Sequence, residues 1–290
     1  MSWRVVIVSS NAKVDYKLDY LVVRTVDAVK RIHISEIGVL ILESTAISMT
    51  SYLICELVKR KVKVIFCDHE RNPCAELTPT CGSYDSSAKI RQQLKWSKGV
   101  KQGVWTEIIR EKIRRQRAHL CRRERPQAEQ LEKYLEQVKW NDATNREGHA
   151  AKVYFNALFG LEFTRASEDP RNAALNYGYG LILSAINREI SAAGYLNPIG
   201  ISHENTFNPY NLGCDFIEPL RPLVDRAVID LAPEQLGHEE KVYLVKLLNC
   251  EVQIDGKRQH LLYAIRLYCN SLFRALQSGD LSEIKWIDYE

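Results

Sequence analysis

The chain has 290 residues, 46% of them apolar and 26% charged, and a formal net charge of +4. That composition fits an ordinary globular protein with room for one large domain or two modest ones. No run of 18 or more apolar residues occurs, which excludes a membrane-spanning helix, and the opening stretch has one Arg and a four-residue apolar run, too short for a secretory signal. A cytoplasmic location is expected. The eight cysteines form no Cys-x-x-Cys pair and read as reduced thiols. Cys67, His69, Cys74 and Cys81 lie close enough together to suggest zinc, but their spacing matches no standard pair of ligand knuckles. The charge is uneven: from Lys89 to Arg125, 13 Lys and Arg face 3 Glu, a local balance of +10 that leaves −6 for the rest.

Taken in order, residues 3–8, about 20–24, 31–34 and 37–42 are short, β-branched and apolar, and read as strands. Val14, Tyr16, Leu18 and Tyr20 alternate with Asp15, Lys17 and Asp19, as in one half-buried strand. Residues 48–60 have a helical pattern, and 62–66 follow as an apolar strand. Residues 68–88 are rich in Asp, Asn, Pro, Gly, Ser and Thr and hold no periodic apolar set. From Lys89 onward the pattern is mostly helical. The expected fold class is α+β: a small, mainly β N-terminal domain (1–70), a linker (71–88) and a larger all-α catalytic domain (89–290).

Within the helical part, Trp105, Ile108, Ile109, Ile113, Gln116 and Leu120 mark one side of a long basic helix, and Leu131, Leu135 and Val138 mark the next. Its charge reads either as a solvated face or as a phosphate-binding face. The local excess, with Arg114, Arg115, Arg117, Arg122, Arg123 and Arg125, favours the second. Between Asn145 and Gly160, Glu147, Ala151, Tyr154 and Leu158 share a helical face, so a carboxylate heads a stripe that otherwise wants burial. It needs a cation, a hydrogen-bonding network or a metal.

Asp169-Pro170 opens another helix, with Gly194 as its stop, and Leu175 to Leu183 is apolar nearly all round, Gly178 and Gly180 permitting close packing. Asn176 and Tyr177 read as satisfied core polar groups rather than as braces of a site. The long loop from Gly194 to Gly213 holds His203, and long loops inside compact domains tend to be functional. Glu218, ahead of Pro219 and Pro222, lies just before a helix N-terminus. A short hairpin or extended strand is expected near 252–256, followed by a helix with Leu262, Ile265, Cys269, Leu272, Phe273 and Leu276 on one face.

Taken singly, each candidate is ambiguous: a structural Glu, a loop His, a capping Glu. Together Glu147, His203 and Glu218 offer oxygen, imidazole and oxygen donors, which suit Mg²⁺ or Mn²⁺ with waters completing the shell. Beside a basic groove, such an ion favours phosphodiester chemistry. His-Glu-x-x-His, the P-loop, Gly-x-Gly-x-x-Gly and Gly-x-Ser-x-Gly are all absent.

Four ordered motifs carry a resemblance: Glu147-Gly148-x-x-Ala151-x-x-Tyr154-Phe155, Asp169-Pro170-x-Asn172-x-x-Leu175-Asn176-Tyr177-Gly178-Tyr179, Gly194-x-x-x-Pro198-x-Gly200-x-x-His203, and Asp215-x-x-Glu218-Pro219-x-Arg221-Pro222-x-Val224-Asp225. They resemble the CRISPR-associated spacer integrase and endonuclease, the Cas protein numbered one. The Met-Ser-Trp-Arg start and the length look most similar to members from type II systems. The resemblance implies a metal-dependent DNA endonuclease and integrase that joins the 3′-hydroxyl ends of short foreign DNA to the CRISPR repeat by transesterification. It implies Glu147, His203 and Glu218 as ligands of Mg²⁺ or Mn²⁺, and Asp215 behind them at most. It further implies homodimers formed through the N-terminal domain, two of them bridged by the small second Cas protein into a heterohexamer on double-stranded DNA. The basic helix, with Arg221 and Arg226, would hold phosphates with little regard to sequence. A branched-DNA repair nuclease and a non-catalytic DNA-binding scaffold are the alternatives.

Overall fold

The computed structural model describes residues 4–77 and 83–289; Trp3 and Cys81 lie outside them. Among the described residues, eight strands and one α-helix come first: β1 (Arg4–Val8), β2 (Ala12–Lys17), β3 (Tyr20–Arg24), β4 (Val29–His33), β5 (Ile37–Leu42), β6 (Ile47–Met49), α1 (Ser51–Lys59), β7 (Lys63–Cys67) and β8 (Pro73–Leu77). They make two four-stranded sheets, ordered β1-β5-β7-β8 and β4-β3-β2-β6. In the first, β1, β5 and β7 are parallel and β8 is antiparallel to β7. The run Ile37-Gly-Val-Leu-Ile-Leu is buried throughout because both faces of β5 are covered. Leu40 and Leu42 join the core shared with β2, β3 and α1, whereas Val39 and Ile41 join the core of the helical part.

The alternation from Val14 to Tyr20 is two strands, not one. Leu18 and Asp19 both have positive φ (50° and 64°) and turn the chain into the antiparallel β2–β3 hairpin. Strand β8 lies inside the turn-rich stretch after residue 68, and the helical region starts at Ser86.

That region comprises α2 (Ser86–Leu94), α3 (Lys98–Arg122), α4 (Ala128–Glu136), α5 (Arg146–Phe159), α6 (Pro170–Ala192), α7 (Asn211–Ile217), α8 (Arg221–Leu231), α9 (His238–Lys246) and α10 (Leu261–Ser278). Three short strands add to it: β9 (Glu251–Ile254), central and antiparallel between β10 (Lys257–His260) and β11 (Ile287–Asp288). The expected hairpin is β9–β10, turned by Asp255 and Gly256 at φ 55° and 70°. Ser97 caps α3, accepting from the Val100 amide at 3.2 Å. Asp169 caps α6 before Pro170, and Gly194 (φ 87°) follows its end. Long basic α3 is the central helix: Val104, Ile108, Ile109, Ile113, Gln116 and Leu120 are buried, and so are Glu111, Lys112 and His119. Of the two α6 glycines, Gly178 meets Val224 of α8 closely, while Gly180 faces open space.

Among the described residues no helix is long and apolar enough to cross a membrane, and the cysteines are free thiols, with Cys67 and Cys269 buried. No cluster including Cys67, His69 and Cys74 gathers for a metal among the described residues.

Candidate active site

Glu147 owes its place to the turn before α5. The backbone amide of Asn141 donates to Thr106 Oγ1 at 2.7 Å, which pins the 3-10 turn Trp140–Asp142 to α3. The Asp142 carboxylate then accepts from the amides of Arg146 (2.8 Å) and Glu147 (3.0 Å), and Asn145, at φ 50°, caps the helix by accepting from Gly148 N. These contacts satisfy the free amides of the first turn. They set Glu147, half-buried, against α3, where its Oε1 pairs with the ammonium of Lys112.

Glu218 reaches the same ammonium from the other side. It follows α7 and begins a one-turn 3-10 segment, Glu218–Leu220, that leads into α8 at Arg221, so it lies just before a helix N-terminus, as its prolines suggest, and within a helical elbow. Its Oε2 lies 2.5 Å from Lys112 Nζ and its Oε1 accepts from Arg221 Nε at 2.9 Å. Burial pushes this carboxyl up, but Lys112 and Arg221 outweigh burial and hold it at about 2. Burial opposes the charge of Lys112 as well, and Glu218 and Glu147 more than offset it.

His203 hangs on Asp215, which is fully buried in α7. One Asp215 oxygen accepts from the amides of Ile201 (2.7 Å) and Ser202 (3.2 Å), the other from the His203 amide (3.0 Å) and ring Nδ1 (2.7 Å). The loop folds tightly enough that a Cβ on Gly200 would stand 2.4 Å from the His203 carbonyl oxygen and 2.7 Å from Asp215 Oδ2. Trp105 of α3 meets the imidazole edge to face at 5.7 Å. The Asp215 hydrogen bond raises the imidazole pKa against burial, and the charge of Glu218 adds to the rise, so His203 and Glu218 are within electrostatic reach.

Glu147 and Glu218 therefore meet at one cation, while His203 is held by Asp215 and feels the charge of Glu218. Among the described residues these side chains do not close into a ready cluster of three ligands. Their chemistry fits a divalent ion: two carboxylates already converge on a positive charge, and Nδ1–H donation to Asp215 leaves Nε2 of an oriented imidazole with a lone pair to offer.

The basic side chains are mostly engaged. Arg114 and Arg115 pair with Glu111, Arg117 with Glu132 and Arg123 with Asp230. Arg122 is exposed on the last turn of α3. Arg115 also pairs with Asp288 at 2.8 Å and lies over the Tyr289 ring, and Arg226 donates to the Tyr289 carbonyl at 3.0 Å. Tyr289, just beyond β11, donates its hydroxyl to the carbonyl of Pro219 at 2.7 Å, bracing the elbow that carries Glu218. Asn176 is exposed and accepts from Arg165 at 2.6 Å. Tyr177 is buried, with Lys241 5.8 Å from its ring, and burial together with the charge of Glu43 raises its pKa, which places it on the side of α6 facing the N-terminal sheet.

Sequence reading missed Lys112. It interrupts the apolar side of α3 among Ile108, Ile109, Ile113 and Gln116, the same signal that singled out Glu147. Missed too was the buried polar group behind the site. Tyr179 donates to Asp225 Oδ1, Arg221 lies 4.7 Å over the Tyr179 ring, and His119 Nδ1 is 2.8 Å from the Tyr154 hydroxyl. Burial raises Asp225 to about 6, opposed by the Tyr179 and Tyr154 hydroxyls, and burial together with Arg123 and Arg226 lowers His119 to about 4.

The family model described as CRISPR associated protein Cas1 matches residues 5–261. The CRISPR-associated endonuclease Cas1 of Neisseria meningitidis serogroup C is 30% identical over 98% of this chain and 96% of its own, and one from Francisella tularensis subsp. novicida is 25% identical over 83% of each. Among solved structures, a casposase bound to integration product superposes with a TM-score of 0.76 at 20% identity, covering 97% of this chain and 92% of that one. A Cas1 protein from Thermotoga maritima gives 0.73 at 17% identity, with 97% and 98% covered. A fold of two β-sheets followed by helices, and a family match along most of its length, place this chain in the CRISPR-associated Cas1 family.

Proposed function

We propose that this protein is a divalent-metal-dependent DNA endonuclease and integrase that joins DNA 3′-hydroxyl ends to a target phosphodiester, with Glu147, His203 and Glu218 holding Mg²⁺ or Mn²⁺. The observation that carries this reading is the convergence of Glu147 and Glu218 on one cationic position, together with an imidazole oriented by Asp215, a buried carboxylate three residues before Glu218. A bound ion would supply Lewis-acid polarisation of the phosphoryl oxygen and stabilise the leaving oxygen. Asp215 keeps the imidazole in the tautomer that exposes Nε2, and Arg221 keeps the Glu218 carboxylate ionised and oriented. No side chain need form a covalent bond to DNA.

The same reading makes double-stranded DNA the substrate and a second copy of this chain a partner, through the β-rich N-terminal part. A solved Cas6-RT-Cas1–Cas2 complex, of whose chain 36% is covered at a TM-score of 0.73, supports a small second Cas protein as the bridging partner. Exposed cations on and after α3, Arg114, Arg122 and Arg125 among them, are the side chains proposed to meet phosphates. The deciding experiment incubates a labelled short duplex with 3′-hydroxyl ends and a supercoiled plasmid carrying a CRISPR repeat, with Mn²⁺ or EDTA, with and without the small partner. Labelled, relaxed plasmid that needs the metal is expected. Binding without joining under every condition would leave a scaffold, and cleavage of branched DNA alone would leave a repair nuclease.

A further inference from the structure

Among the described residues, Lys112 is the one side chain that touches both carboxylates of the proposed site. It sits in the middle of the 25-residue helix α3, 5% exposed, and its ammonium bonds Glu147 Oε1 and Glu218 Oε2. The second oxygen of Glu218 belongs to Arg221, so the Oε2 that would face an incoming ion is the atom Lys112 holds. Two carboxylates brought together at low exposure repel each other unless a cation lies between them. An ammonium and a divalent ion cannot share that position, since like charges at such distances repel strongly in a protein interior.

We propose that Lys112 is a built-in placeholder for the metal: it keeps Glu147 and Glu218 apposed in the metal-free protein, and the ion binds by displacing its ammonium. This rests on the reading that these carboxylates hold a metal. It separates two jobs that one cation performs. Lys112 stabilises the empty fold, and by the same contacts it weakens the grip on the ion, so that the protein folds without metal and loads it reversibly.

The test uses the full chain, Mn²⁺ as the probe, its dissociation constant from electron paramagnetic resonance titration, and the melting temperature in EDTA. Lys112→Gln should melt lower than wild type in EDTA, bind Mn²⁺ about tenfold or more tightly, and gain more in melting temperature from Mn²⁺. Lys112→Arg keeps the charge and can bridge both carboxylates; it should fold in EDTA and bind Mn²⁺ more weakly than wild type. This variant decides the matter if Lys112→Gln does not fold in EDTA. Equal or weaker Mn²⁺ binding by Lys112→Gln would overturn the placeholder and leave Lys112 as a brace that helps the ligands, and so would undiminished binding by Lys112→Arg. Wild-type protein that binds no Mn²⁺ would instead overturn the metal reading itself, and the two failures are thereby told apart.

Discussion

Asp225 and His119 titrate in opposite senses behind the site. Asp225 is raised from 3.8 to about 6, so its contribution to stability is full below 3.8 and is lost as pH rises through 6. His119 is lowered from 6.5 to about 4, so its contribution is full above 6.5 and is lost as pH falls through 4. Between these limits the two slopes offset one another. Asp225→Asn, which keeps an acceptor for Tyr179, should therefore stabilise the protein at pH 7.5 by about 3 kcal/mol and by little at pH 4. Thermal melts at the two pH values check this, and an equal gain at both would mean that charge is not the cause. The site carboxylates should separate in another way. Glu147, half-buried, can be replaced by Ala, as can His203, with joining abolished and the fold kept; full activity in either well-folded variant would remove them from the site. Glu218→Ala leaves Lys112 and Arg221 facing a gap in a buried position and should cost about 3–5 kcal/mol, read as a lowered unfolding midpoint. The sequence told that Glu147 needed a partner, but which partner depends on α3 crossing behind it, a long-range fact that helical spacing does not contain.

At the scale of elements, α6 makes the difference between two glycines measurable. A Cβ on Gly178 would stand 2.4 Å from Val224 Cγ1, so Gly178→Ala should lower stability by about 1–3 kcal/mol, and Val224→Ala in the same chain should restore most of it. Gly180 has nothing within 4 Å of such a Cβ, and Gly180→Ala should be neutral or stabilising by up to about 1 kcal/mol. Denaturant midpoints of the three variants decide it; a cost at Gly180 equal to that at Gly178 would refute the packing argument. The ends of α6 and the β9–β10 hairpin were legible because Asp-Pro, Gly194 and Asp-Gly are strong local signals. The β2–β3 turn was hidden because Leu18 and Asp19 continue the alternation of polar and apolar residues while taking positive φ; Asp tolerates that region, but Leu does not advertise it and the alternation masks the turn. The elbow at Glu218 was legible in part: Pro219 and Pro222 lie in the first turns of the 3-10 segment and of α8, as their spacing suggests, but the close approach of the end of α7 ahead of them carries no signal of its own.

On the scale of the whole molecule, the sheet β1-β5-β7-β8 is a wall shared by two cores. Val39, Ile41, Ile65 and Cys67 pack with the helical part, and the opposite face closes on β2, β3 and α1. A fragment of residues 83–290 should consequently lose cooperative unfolding and bind a hydrophobic dye, both readable in one melt; a sharp native-like transition would show that the helices do not depend on the wall. The order of β-rich then helical sequence was readable from composition and period, because each half keeps its own periodicity. The shared wall was not, since an all-apolar strand gives no sign of what covers each face. Tyr289, by contrast, lies 70 residues after the Pro219 carbonyl that its hydroxyl holds. Translation runs one way, so the elbow bearing Glu218 is made long before its clamp, and the clamp arrives only after α9, the β9–β10 hairpin and α10 have left the ribosome. The order of synthesis thus leaves the surroundings of this carboxylate incomplete until 70 further residues have been made.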